Sequence, residues 1–367
     1  MPDPRVQKLA EVLVRYSLEL KPGEEFILES SPIAQDLNLA IYQEAVLAGS
    51  HVIAVNDLPG AEEILYHYAT DEQLDYVSPV YKLIADYYTA NLYIEVLENT
   101  RELTSIDPAR ISRVRSAMAE LRRRHIERTA AGEARWCMTV YPTHAAAQEA
   151  EMSLAEYQDF VYGAGLLDQD DPVAAWRRLG DRHRELVAWL EGKDQVVIRG
   201  SDIDVRFSIR GRPWVECSGQ ENFPDGEIYT SPIEDSLEGW VRFSYPAIFQ
   251  GREVDGIEIT FQDGEAVKQR AARGQDLLRT MLATDPGAPF VGEWGIGTNY
   301  GIQRFTKNML FDEKMGGTIH FAFGFGFPES GGQNQSGIHW DILCDMQDGE
   351  ILIDDELFYK NGEFQVS

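Results

Sequence analysis

The sequence predicts an α/β N-terminal domain with a largely parallel sheet, followed by an α+β C-terminal domain, divided near residue 193 into residues 1–193 and 194–367. Three observations carry that expectation. In the first half, helix-period segments alternate with short apolar runs, the rhythm of repeated strand and helix units around a parallel sheet. Beyond residue 195 the pattern changes to period-two alternation, as in VVIRGSDIDVRFSIRG, and Gly, Trp, Tyr and Phe become frequent. A length of 367 residues also exceeds what one core comfortably serves, so two domains are expected.

Taken in order, residues 6–18 form a helix and residues 25–29 a short strand. After Ser30, Ser31 and Pro32 a second helix occupies 33–48, Gly49 supplies its stop, and HVIAVN at 51–56 is the next strand. Further strands fall at 92–96 and 136–140. Between them, the helix at 108–129 carries the basic cluster LRRRH. That cluster lacks the interleaved aromatics or Gly-rich loop of a nucleic-acid surface and reads as a solvated face. Residues 153–191 are helical with a break at DQDDP (168–172), where Asp171 and Pro172 resemble a helix start, and this segment links the two domains. The first domain holds no GxGxxG or P-loop, so its α/β pattern defines no nucleotide site.

With 44% hydrophobic and 11% aromatic residues the chain has ample mass for globular cores. Its net charge of -28 argues against a phosphate backbone or an anionic membrane as partner, and suits divalent cations or peptides with a protonated amino end. Cys137, Cys217 and Cys344 are widely spaced with no CxxC, so neither a disulfide framework nor a cysteine zinc site is indicated. The first twenty residues scatter charge through an amphipathic pattern, unlike a signal peptide, and no run approaches the roughly 20 apolar residues of a membrane span. A cytoplasmic protein is expected.

Four segments concentrate metal-ligand residue types. In ENFPDGEIYTSP (221–232), Pro224, Asp225 and Gly226 form a turn that presents Glu227 at the start of a strand. In FVGEWGIGTNYGI (290–302), Glu293 lies in an apolar, Gly-rich run, where a carboxylate is costly unless paired or metal-bound. In FDEKMGGTIHFAFGFGFPESGG (311–332), His320 is embedded in a strand, the ordinary place for a packed core histidine, and Glu313 lies upstream of Gly316 and Gly317. In SGIHWDIL (336–343), His339 and Asp341 stand two apart, so strand alternation sends both to one face and sets an imidazole nitrogen beside a carboxylate oxygen, as a divalent ion requires. Together these supply three Glu, two His and one Asp, a set best explained by two cations that share a carboxylate.

The stretches DGEIYTSP, GEWGIGTN, DEKMGGTIHFAFG and PESGGQNQSGIHWD resemble, in order, the motifs of the aminopeptidase T and aminopeptidase S family of two-metal metallo-aminopeptidases. The resemblance spans the second half and implies that Glu227, Glu293, His320, His339 and Asp341 are metal ligands, with Glu293 bridging both ions. Glu313 corresponds across a gap, standing seven residues before His320 where some relatives have five. The resemblance also implies a homodimer enclosing a cavity that admits short peptides by their amino ends. One position departs from it. Phe327 stands where relatives carry a tyrosine whose hydroxyl is held to stabilise the oxyanion, and Tyr300 is a candidate substitute.

On this reading the chain binds two divalent ions, zinc, cobalt or manganese, and removes N-terminal residues from short peptides. Glu293 ties the ions together, and Glu313 takes a proton from the attacking water and returns it to the leaving amine. Phe327 motivates a rival, a catalytically weakened or inactive metal- or peptide-binding homologue. A metal-dependent hydrolase of another substrate is a third reading. No GxSxG or HExxH occurs, which sets aside a serine triad and the helical zinc motif.

Overall fold

Apolar runs bounded by Pro- and Gly-containing turns become parallel strands in the first half of the chain. The computed structural model describes residues 3–249 and 251–366. Its contacts divide the chain into a first unit, Met1–Ala175 with Gly219–Pro224, and a second, Trp176–Ser218 with Asp225–Ser367. In the first unit β1 (Glu25–Ser30), β2 (His51–Asn56), β3 (Ala90–Glu95) and β4 (Arg135–Val140) pair in the order β2-β1-β3-β4, followed by the two-residue strand Asn222–Phe223. Every pairing is parallel. Phe26, Ile27, Leu92 and Cys137 are fully buried, as expected of strands covered on both faces. The α/β expectation holds.

Helix starts in this unit reuse one local device. Asp3, Ser31, Ser78 and Asp107 each precede a proline and accept a hydrogen bond from the backbone N–H two residues on, which satisfies a donor the helix itself cannot. The helix expected over 108–129 is two, Pro108–Ala117 and Ala119–Ala130, parted at Met118. Arg123 and Arg124 of the basic cluster pair with Glu120, Glu127 and Asp86, so the cationic face is neutralised locally. The break foreseen at 168–172 separates helix Leu154–Ala164 from helix Pro172–Leu190. Among the described residues no helix is long and apolar enough to cross a membrane.

The second unit is built on two antiparallel sheets, one of eight strands and one of five. The five-stranded sheet comprises β5 (Val215–Cys217), β6 (Glu227–Thr230), β7 (Val291–Gly297), β8 (Thr318–Gly324) and β9 (His339–Asp345), in the order β9-β8-β7-β6-β5. Successive residues of a strand face opposite ways, so this sheet sorts its side chains into two sets. Ile228, Trp294, Ile296, Ile319, Phe321, Phe323, Trp340 and Ile342 enter the hydrophobic core. Glu227, Tyr229, Glu293, His320, His339 and Asp341 occupy the alternate positions.

The core face is an aromatic lattice between the sheets. Phe207 of the eight-stranded sheet meets Trp294 edge-on at 5.0 Å and Phe321 at 6.1 Å, while Phe261 stacks on Phe323 at 5.9 Å. A bulge in β7 between Val291 and Glu293 lets Val291 and Trp294 both face this core while Glu293 faces the other way. Gly292 is required there, because a Cβ would lie 2.3 Å from the Gly324 carbonyl oxygen. Phe321 is fully buried directly behind His320. Phe321→Ala is expected to cost about 3–5 kcal/mol of stability, read as a lowered denaturation midpoint; a loss under 1 kcal/mol (roughly) would contradict this account of the core.

Candidate metal centre

Strand alternation, one bulge and one bend bring the site together. Where the sequence predicts a turn at Pro224, Asp225 and Gly226, the chain bends at Pro224 and leads through Asp225 and Gly226 into β6. The carbonyls of that segment are tied down from the far end of β7: the Thr298 N–H donates to the Gly226 oxygen at 2.8 Å and the Asn299 side-chain amide donates to the Asp225 oxygen at 2.7 Å. Cross-strand pairing then lays out rows on the site face. Glu293 and Asp341 both stand opposite Ala322, Gly295 stands between His320 and Tyr229, and Glu227 stands between Gly297 and Cys217. The small residues make room. A Cβ at Gly295 would lie 2.1 Å from the His320 ring, so that imidazole leans across the glycine.

Five of the six residues singled out by sequence converge. His320 Nε2 lies 3.0 Å from Glu293 Oε1 and 3.5 Å from Glu227 Oε2, and His339 Nε2 lies 3.6 Å from Asp341 Oδ1. Two sets of ligand atoms result, Glu227–Glu293–His320 and Glu293–His339–Asp341, each with its atoms within 4.8 Å of one another and both containing Glu293. The His339 Nδ1–H donates to the Phe325 carbonyl at 2.9 Å, which orients the ring and leaves Nε2 as the acceptor nitrogen. Glu313 joins neither set. It caps the helix Met309–Asp312, and its carboxylate is bound by the Lys314 ammonium.

Lys314 has no solvent exposure and also lies 3.3 Å from Glu227 Oε1. Burial alone would strip its proton, but Glu227, Glu313 and Asp225 hold its pKa well above the ordinary value. Burial drives Glu227 up to about 8, with Lys314 pulling it down and Glu313 pushing it up. Burial raises Glu313 as well. For His320, burial opposes the proton, yet the hydrogen bond to Glu293 and the charges of Glu227, Glu293 and Asp341 win and lift it to about 10. His339 is raised in the same manner, chiefly by Asp341.

These residues fit divalent cations. Glu227 Oε2 and Asp341 Oδ1 are buried without a hydrogen-bond partner, a costly state that an ion relieves. Lys314 is engaged by Glu227 and Glu313 with Asp225 in electrostatic reach, and Glu293 and Asp341 add further carboxylates to the same face, an excess of negative charge that suits divalent cations. A further set, Cys217–Asp225–Glu227, has compatible spacing. Lys314 already supplies the positive charge on that side, and burial holds the Cys217 thiol well above its ordinary pKa, so it keeps its proton.

Sequence reasoning missed three participants. Lys314 adjoins Glu313, and adjacent opposite charges of that kind are ordinarily solvated, so nothing local marked it. Tyr229 sits two positions after Glu227 and so shares its face, a deduction the alternation rule already allowed. His183 had no local signal. It is fully buried on helix Pro172–Leu190, its Nε2 lies 2.7 Å from Thr298 Oγ1, and burial lowers its pKa to about 4, so a neutral ring steadies the end of β7. Tyr300, the candidate substitute hydroxyl, donates at 2.8 Å to the Gly362 carbonyl.

A face with these carboxylates and imidazoles has a donor set that divalent cations take. The chain matches the model of the peptidase M29 family, described as thermophilic metalloprotease, over residues 2–364, and it belongs to that family. It is therefore a metal-dependent peptidase by class. Similar proteins include "Aminopeptidase 2" of Geobacillus stearothermophilus, 26% identical over 94% of this chain and 93% of that protein. "Aminopeptidase T" of Thermus thermophilus is 27% identical over 97% of this chain and 95% of its own length. The structure of wild-type AmpT from Thermus thermophilus matches with a TM-score of 0.85 at 24% identity, covering 99% of both chains, which shows a shared fold.

The shifts of His320 and Glu227 act on stability with one sign. His320, raised from 6.5 to about 10, gives the metal-free protein stability that is complete below pH 6.5 and lost as pH rises through about 10. Glu227, raised from 4.5 to about 8, also favours the protonated folded state and adds to the loss. The unfolding temperature measured in chelator is expected to fall from pH 6.5 to about 10; a flat or rising profile contradicts this.

Proposed function

We propose that the chain is an aminopeptidase that releases N-terminal residues from short peptides, using two divalent ions held by Glu227, Glu293, His320, His339 and Asp341. The carrying observation is that Glu293 belongs to both sets of ligand atoms, the arrangement a shared bridging carboxylate needs. The names of the similar proteins support the peptide amino end as the substrate feature. A carboxylate and imidazole donor set without thiolate suits zinc, cobalt or manganese.

When bound, such ions supply Lewis acidity and a water acidified to near neutrality. Everything else falls to the protein. Glu293 spans the two positions, and the Phe325 carbonyl keeps the His339 ring turned inward. Glu313, its pKa raised by burial and its carboxylate held by Lys314, accepts the proton of the attacking water and passes it to the leaving amine. The attack joins the water oxygen to the carbonyl carbon, and the C–N bond breaks as that amine takes the proton.

A cytoplasmic setting is supported by Cys137, Cys217 and Cys344, which form no disulfide among the described residues. A homodimer, the state the resemblance implies, is supported by Leu39, Val46 and Leu47, which lie exposed on helix Gln35–Leu47. Sedimentation at twice the chain mass is expected.

The Phe327 ring, with no hydroxyl, lies 4.8 Å from the His339 ring and favours one second reading, a weakened or inactive homologue that binds metal or peptide. Aminoacyl-arylamide turnover separates the two. Chelation is expected to abolish it, zinc, cobalt or manganese to restore it, and Glu293→Ala to remove it together with bound metal. Undiminished turnover in Glu293→Ala defeats the proposal, and two bound ions without turnover favour the homologue.

A further inference from the structure

Hydrolysis of an amide places negative charge on the carbonyl oxygen as the water adds, and a preorganised donor aimed at that charge is among the largest contributions a protein can make. The donors on the site face are few. Lys314 is enclosed and engaged by Glu227 and Glu313. His339 spends Nδ1–H on the Phe325 carbonyl. His320 Nε2 is turned to Glu293. Apart from the Cys217 thiol, a weak donor, and His320 Nδ1, what is left among the described residues is the phenol of Tyr229.

Tyr229 is built into the row that carries the ligands. On β6 it follows Glu227 by two and so shares its face, and it stands directly opposite Gly295, which on its other side stands opposite His320. Because residue 295 has no side chain, nothing projects from β7 between the imidazole and the phenol. Tyr229 is 9% exposed and lies within electrostatic reach of Glu293 and Glu227. Among the described residues its hydroxyl has only a 3.5 Å contact with Glu329 Oε1, at the outer limit of a hydrogen bond. The ring is fixed by Phe327 at 6.0 Å, and Phe327 by His339 at 4.8 Å and Phe325 at 5.5 Å, so an aromatic chain holds the phenol in place while its oxygen is lightly held.

We propose that Tyr229 is a catalytic residue whose hydroxyl donates a hydrogen bond to the oxygen of the scissile carbonyl as charge develops there. No proton changes owner in this contact. Glu329, at the exposed end of the same contact, keeps the hydroxyl near the rim of the site until a carbonyl takes its place. The inference rests on the aminopeptidase reading, and it also assigns Phe327 a use, as the wall that orients the phenol.

Tyr229→Phe tests it, since only an oxygen is removed and the ring packing stays. With ions restored, kcat is expected to fall about 100- to 1000-fold while KM changes less than about threefold. Metal content and unfolding temperature are expected to stay as in the wild type. A phosphinic dipeptide analogue, which imitates the tetrahedral carbon, is expected to lose affinity by a similar factor, whereas the product amino acid binds as before. A purely structural tyrosine would move metal content or unfolding temperature instead, and that result overturns the proposal. So does a variant that turns over and binds the analogue like the wild type. A metal-loaded wild type that cleaves no peptide sinks the aminopeptidase reading and this inference together, while an active wild type beside an equally active Tyr229→Phe sinks this inference alone.

Discussion

Carboxylates taken out of water repel one another and lose their hydration, and the second unit is arranged around enduring that cost at one place. Glu227 and Glu293 keep 5% of their surface and Asp341 keeps 9%. Unassisted, such a group would neutralise, as the rise of Glu227 to about 8 shows. Without metal, two positive charges answer it, the enclosed ammonium of Lys314 and the proton on His320; a bound divalent cation would take the place of that proton, and the unpartnered oxygens of Glu227 and Asp341 fit such a cation. The rest of the unit supplies rigidity. The aromatic lattice behind the sheet fixes the strands, the bulge at Gly292 aims Glu293, and the bonds from Thr298 and Asn299 pin the segment before Glu227.

The same constraint explains which parts of the molecule could be read from the chain. Parallel strands and their helices announce themselves through local periodicity and through the Ser-Pro and Asp-Pro starts, so β1 to β4 were legible to within a residue or two. A two-residue strand such as Asn222–Phe223 has no pattern to read, and its pairing with β4 depends on contacts far apart in sequence. Among the site residues, Glu227, Glu293, His320, His339 and Asp341 stood out because a polar group within an apolar strand is conspicuous. Glu313 was harder. A short helix and two glycines separate it from β8, and only the structure shows its carboxylate facing Lys314.

What escaped notice is instructive for the same reason. Lys314 and Glu313 are neighbours in sequence, and adjacent opposite charges are common on surfaces; nothing local says that this pair is enclosed. His183 lies on a helix otherwise rich in surface charge, and its bond to Thr298 joins positions 115 residues apart. Tyr229 was hidden by company, since an aromatic residue in a strand ordinarily belongs to a core. Alternation places it opposite to Ile228, which does belong to the core, and so on the side of Glu227 and Glu293.

Gly295 has a bearing on how this site could be altered. The His320 ring occupies the volume that any larger residue at 295 would claim, since a Cβ there would lie 2.1 Å from a ring atom, and comparable intrusions at Gly292 and Gly297 would strike main-chain oxygens at 2.3 and 2.1 Å. The floor of the site is therefore closed to redesign. Changes in preference for one peptide over another have to be made in its walls, at Tyr229, Phe325 and Phe327, where side chains meet side chains and the backbone is not in the way.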